Sequence, residues 1–146
     1  MHYFLGLEVW QSPGRIFLNQ GKYTVEILKR FDMLECKSMN IPMEAKLKLL
    51  VDTSSELIDA TLYRQIIGSL MYLTNTMPDI CFVVNTLNQY MVAPRRVHLV
   101  AAKHVMRYLK GTLDYALCYT RDHDFILYGY TDSDWAGSAS DRKSTS

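Results

Sequence analysis

Between Leu62 and Lys110 the apolar residues recur three times in succession at the spacing of a helix face, and each recurrence is bounded by residues that start or stop helices. The first, from Leu62 to Thr76, places Tyr63, Ile66, Ile67, Leu70 and Met71 on one face. The second begins at "TMPDI", where Thr76 can cap, Pro78 suits the first turn, and Ile80, Val83, Val84, Leu87 and Met91 repeat. The third opens after Pro94 and runs to Lys110, with Gly111 as a stop. Consecutive amphipathic helices bury their stripes against one another or against a further layer, so residues 51–111 are predicted to form a helical segment.

The flanks read differently. "YFLGLEVW" and "RIFLNQ" are rich in aromatic, aliphatic and β-branched residues and flank the turn signal "QSPG", which predicts a β-hairpin. From Lys22 the period changes: Tyr23, Ile27, Phe31 and Leu34 share a helical face. Periodicity then fails from "CKSMNIPMEAKLKLL" into "VDTSSELIDA", where Pro42, Thr53, Ser54 and Ser55 suggest an extended linker and an internal boundary. After Gly111, "YALCYT" and "FILYGYT", joined by "RDHD", read as two short strands. The predicted class is α+β: an N-terminal hairpin and helix over residues 1–50, three helices over 51–111, and a C-terminal hairpin within 112–146.

Charge narrows the partners. Lys and Arg number 16 against 15 acids, so affinity for nucleic acid or a membrane has to come from local clustering. One cluster exists on the third helix. Steps of about 100° per residue bring Arg96, Lys103, Arg107 and Lys110 into one stripe, opposite Val97, Ala101, Val105, Tyr108 and Leu109. Such a stripe can grip a phosphate backbone, because each cation that meets a phosphate releases a condensed counterion; it can equally be a solvated helix face.

Asp132 and Asp134 follow the strand-like "FILYGY" and point the same way from a strand end, where carboxylates can converge on a divalent metal. Two carboxylates are too few for two-metal chemistry, and a DxD near a glycine is also a common turn. His2, His98, His104 and His123 lack ligand spacing, and Cys36, Cys81 and Cys118 form no zinc pattern, which leaves buried or free thiols in a reducing compartment. No nucleophile-elbow or phosphate-cradling glycine pattern occurs. The start lacks a basic region before its apolar run and no run reaches transmembrane length, so a cytoplasmic or nuclear location is expected.

The strings "YFLGLEV", "GKYTVEILKRFDM", "YRQIIGSLMYLTNTMPDI", "AAKHVMRYLKGT" and "GYTDSDWAGSASDRKSTS", in this order, resemble the Pol polyprotein of copia-type LTR retrotransposons across essentially the whole chain. The resemblance implies a stretch from the end of the reverse transcriptase palm (1–50), through thumb and connecting helices (51–111), into a truncated start of RNase H (112–146). It makes Asp132 similar in place to the first metal-binding carboxylate of RNase H, with Asp134 its neighbour. The family's remaining RNase H acids lie beyond the equivalent of Ser146, and its YxDD motif and earlier palm aspartate lie upstream of "FLGLEV". No complete active site is therefore expected, and no cofactor, Mg²⁺ being held only if the RNase H domain were complete.

Two departures stand inside the fragment: Met77 where the family has a basic residue before Pro-Asp, and Leu99 where it has an aromatic after His. The partner expected on this basis is RNA or DNA, met through the basic helix face. Similar small chains also carry the label of secreted RxLR-type effectors of oomycete plant pathogens, which implies an alternative: secretion into the host cell or its nucleus, a host plant protein as partner, and action on immunity or cell death. No Arg-x-Leu-Arg is present to support it.

Overall fold

The computed structural model describes residues 2–43 and 55–121. Three strands open it, β1 (His2–Phe4), β2 (Leu7–Ser12) and β3 (Arg15–Asn19), followed by α1 (Gly21–Arg30). The central helices are α2 (Ala60–Leu73), α3 (Cys81–Asn88), entered through a 3-10 turn at Pro78–Ile80, and α4 (Arg96–Gly111). A fourth strand, β4 (Leu117–Thr120), joins the same sheet. The mixed α+β class is as expected, with four α-helices and one antiparallel sheet of order β1-β2-β3-β4 among the described residues.

The Pro-Gly turn forms as predicted, Ser12 pairing with Arg15 around Pro13 and Gly14. The run before it is not one strand. Leu5 (φ 48) and Gly6 (φ 77) turn the chain so that Phe4 pairs with Leu7, the two positive angles that a two-residue primed turn requires. Leucine is an unusual residue there, which is why apolar alternation alone reads straight through the bend.

Helix α1 ends in a Schellman motif. Asp32 (φ 54) turns left-handed, its N–H donates to the Lys29 carbonyl, and the Met33 N–H donates to that of Leu28 at 2.7 Å. The helix is thus shorter than the predicted face, with Phe31 capping it and Leu34 beyond it, yet both still pack against the core.

The core lies among the helices. Ile27 and Leu28 of α1, Ile67 and Leu70 of α2, Val84 and Leu87 of α3, and Val105 and Leu109 of α4 are buried. Tyr63 crosses the layer and donates its hydroxyl to the Leu87 carbonyl at 2.8 Å. Three expectations change. Met71 sits on the exposed side of α2. Thr76 caps nothing but donates to Gln20 Oε1 at 2.7 Å, tying the α2–α3 connection to the start of α1, while Asp59 caps α2 by accepting the Thr61 N–H. Val97 is half-buried, and the inward face of α4 begins instead at His98.

Strand β4 pairs along β3 with Phe17 opposite Cys118, so residues beyond α4 share a sheet with the N-terminal hairpin. The second predicted strand, "FILYGYT", lies outside the described residues.

Candidate nucleic-acid interface

Helix α4 owes its orientation to two small residues and a buried edge. Ala101 and Ala102 admit close approach to the core, while Val105, Met106 and Leu109 fill it. Burying these side chains stabilises the docked helix by about 1.5–3 kcal/mol for each large one. The helix therefore has one rotational setting, with Arg96 and Lys103 exposed and Arg107 and Lys110 half-buried on the rim of the opposite face.

The four cations are not equally available. Arg107 donates through Nε to the Lys37 carbonyl at 2.8 Å, and the Met39 N–H donates back to the Arg107 carbonyl at 3.1 Å. One turn earlier, His104 Nε2 lies 3.0 Å from the Ile41 carbonyl. The segment from Lys37 to Ile41 thus runs as a strap along α4. Gly111, expected only as a helix stop, makes room for it: a Cβ there would lie 3.3 Å from that of Ser38. The cap itself is Thr112, whose hydroxyl donates to the Tyr108 carbonyl. The strap also brings exposed Lys37 to the basic side of α4.

Beneath the stripe, Tyr108 donates its hydroxyl to the Asp79 carboxylate. Burial, reinforced by that bond and by the negative charge of Asp79, pushes the phenol up to about 12. Met77 beside this contact is buried in the core, and Leu99 packs against it, so both departures from the family pattern serve packing here.

A second cleft, of about 550 Å³, opens where β2 and β3 meet α1 and is lined in part by Glu8, Trp10, Asn19, Lys22, Lys29 and Asp114. Glu8 is buried at its edge, 3.5 Å from the Lys22 ammonium, and Asn19 donates to the Leu113 carbonyl at 3.1 Å. Glu8 shares a strand face with Trp10 and pairs with Asn19 across the hairpin.

Asp132 and Asp134 lie outside the described residues. Among the described residues no group of three His, Cys, Asp or Glu could hold a metal ion, and no helix is long and apolar enough to cross a membrane. Cys36, Cys81 and Cys118 are free thiols.

Comparison with known proteins places the sequence. Over 145 residues, 99% of the chain, it is 42% identical to the retrovirus-related Pol polyprotein of transposon RE2 from Arabidopsis thaliana. The chain belongs to the copia-type retrovirus-related Pol polyproteins. It spans about a tenth of the length of that relative. An uncharacterized mitochondrial protein of Arabidopsis thaliana is 40% identical over the same share of the chain, which covers 60% of that relative. The secreted RxLR effector protein 161 of Plasmopara viticola is 42% identical over 85 residues, 58% of this chain and 60% of the effector. No family model and no solved structure matches.

Proposed function

We propose that this retrotransposon-derived chain is a catalytically incomplete piece of Pol that holds nucleic acid weakly through α4. The match to a Pol polyprotein over 99% of the chain supports the Pol origin in this reading. In it, residues 1–50 correspond to the end of the palm, 51–111 to thumb and connecting helices, and 112–146 to the start of RNase H. The 146 residues contain no Tyr-x-Asp-Asp, and on the resemblance Asp132 stands in the place of one RNase H metal carboxylate, with Asp134 its neighbour. Phosphoryl transfer by two metals needs a fuller set of fixed carboxylates, so neither polymerase nor nuclease activity is expected. Mg²⁺ held by two carboxylates alone would keep most of its waters.

The second half rests on the exposed basic side of α4, where Arg96 and Lys103 are free of strap contacts while Arg107 and Lys110 border it. A rigid helix that displays cations on one face and is fixed by a core on the other suits a phosphate backbone read without sequence preference. RNA or DNA in the cytoplasm or nucleus is then the partner. Primer extension and RNA–DNA hybrid cleavage by the purified chain, each with and without a chelator, test the catalytic half: chelator-sensitive activity in either assay would refute it.

The 85-residue similarity to an oomycete effector favours one alternative, a secreted chain acting on a host protein inside plant cells. Expression in leaf tissue separates the two. Cell death or its suppression, at levels matched to an inert control, would favour the effector; unchanged leaves favour the Pol fragment.

A further inference from the structure

The start of α4 contains a buried histidine that the nucleic-acid reading does not use. His98 is 3% exposed, and its Nδ1 accepts the Arg95 N–H at 3.0 Å. A neutral ring accepting there carries its proton on Nε2, and that buried Nε2 has no hydrogen-bond partner among the described residues. The ring stacks on Tyr90, with centroids 3.8 Å apart and planes 19° apart, and Tyr63 lies on another side at 6.5 Å. A histidine fills the third helical position, where a capping box ordinarily uses Glu or Gln.

The bond it accepts lies at the centre of a clasp. Arg95 forms an isolated bridge with Leu57, and its guanidinium donates to the Ser55 carbonyl. The Arg96 N–H donates to the Glu56 carbonyl at 2.9 Å, and the Ile58 N–H to that of Pro94 at 3.0 Å. These contacts fasten residues 55–58, which lead into α2, to the N-terminus of α4.

We propose that His98 is an acid-sensitive latch: as a neutral ring it holds the start of α4 against residues 55–58, and on protonation it releases them. A proton on Nδ1 removes the acceptor for the Arg95 N–H and leaves that donor facing another donor. It also sets a second positive charge beside the Arg95 guanidinium in a buried site. Tyr63 of α2 and Tyr90 after α3 offer no negative charge in compensation, since burial raises both phenols and keeps them neutral. The Tyr90 face attracts a cation, which opposes the latch but supplies no acceptor for the lost bond. Glu56 on the fastened segment and Asp59 just after it are exposed, and Asp59 is committed to the cap of α2.

Burial, and next the charge of Arg95, hold His98 below its ordinary range. The open form, with a solvated imidazole, therefore takes the proton first. The latch is closed above the ordinary histidine value and weakens as pH falls below it, by at most about tenfold in the opening equilibrium per pH unit.

Amide hydrogen exchange on the whole chain tests this, with protection referred to the intrinsic rate at each pH. Between about pH 7.5 and about pH 5.5, spanning the ordinary histidine value, the Ile58, Arg95 and Arg96 amides should lose protection while the Met33 amide of the α1 cap keeps it. His98→Gln retains a neutral acceptor and should abolish that pH dependence, whatever its effect on overall stability. A flat wild-type profile, or an equal loss in the variant, overturns the proposal. If the variant does not fold, titration of the His98 Cε1 proton in the wild type decides. A midpoint below the ordinary value, with protection falling from the ordinary value down towards that midpoint, supports the latch, and an unlowered midpoint or an intact clasp refutes it.

Discussion

Arg107 on α4 donates its Nε hydrogen bond to the backbone carbonyl of Lys37, 70 residues away in sequence. A cation that the sequence alone offers to a ligand is therefore also a structural pin, holding the strap to the helix. Arg107→Gln is expected to lower stability by about 1 kcal/mol in urea unfolding, since a charged donor is lost at a partly solvated site. It should weaken nucleic-acid binding less than Lys103→Gln, whose charge is exposed. Equal unfolding midpoints for wild type and variant would show that the strap does not depend on Arg107.

Tyr63 offers a sharper test of the core. Tyr63→Phe removes one hydrogen bond to the Leu87 carbonyl and should cost about 0.5–1.5 kcal/mol, because that carbonyl also accepts the Tyr90 N–H. Leu70→Ala on the same helix leaves a cavity among α2, α3 and α4 and should cost about 2–5 kcal/mol. Denaturant midpoints that rank the two variants the other way would mean that the hydroxyl, not the packing, organises the layer.

Alkali tests the Tyr108–Asp79 contact. The folded phenol holds its proton more tightly than the unfolded one. Its contribution to stability is therefore complete below the ordinary tyrosine value of about 10 and is lost as pH rises from there through about 12. Tyr108→Phe should unfold less steeply over this range, and the ultraviolet difference between the two proteins should show a phenol that ionises late. Ionisation at the ordinary value would contradict the contact.

These contacts mark how far the sequence is legible. Local chemistry announced the Pro13-Gly14 turn and the buried faces of α3 and α4, because each depends on residues within a few positions of one another. Pairings across long separations were not announced. Nothing local in "YALCYT" says that Cys118 will lie beside Phe17, and nothing in "CKSMNIP" says that it will strap α4. The Leu5-Gly6 bend escaped because a leucine occupies a left-handed position, and Met71 misled because an apolar residue at a stripe's margin is as consistent with either side of the helix. The basic stripe was legible as a pattern, whereas the engagement of Arg107 was not.

Asp132 carries a prediction that extends the chain. Adding the remainder of an RNase H domain after Ser146 should supply the missing acids, and hybrid cleavage should then appear with Mg²⁺ and vanish in Asp132→Asn. In such an extended chain Asp132 would help to hold Mg²⁺, which would supply water activation and charge neutralisation only with the full set of acids fixed together. Cleavage that persists in that variant would transfer the role to Asp134 or to neither.

The salt dependence of binding decides whether α4 holds nucleic acid through its phosphates. Affinity of the wild-type chain for duplex DNA, measured across a range of salt concentrations, should fall as a straight line on logarithmic axes, with about 0.9 of slope for each phosphate contact. Changing Arg96, Lys103 and Lys110 together to Gln leaves the Arg107 pin in place and should flatten the line by up to that amount per residue while unfolding stays nearly unchanged. Identical lines for the two proteins at equal stability would contradict the account and leave the stripe as a solvated helix face.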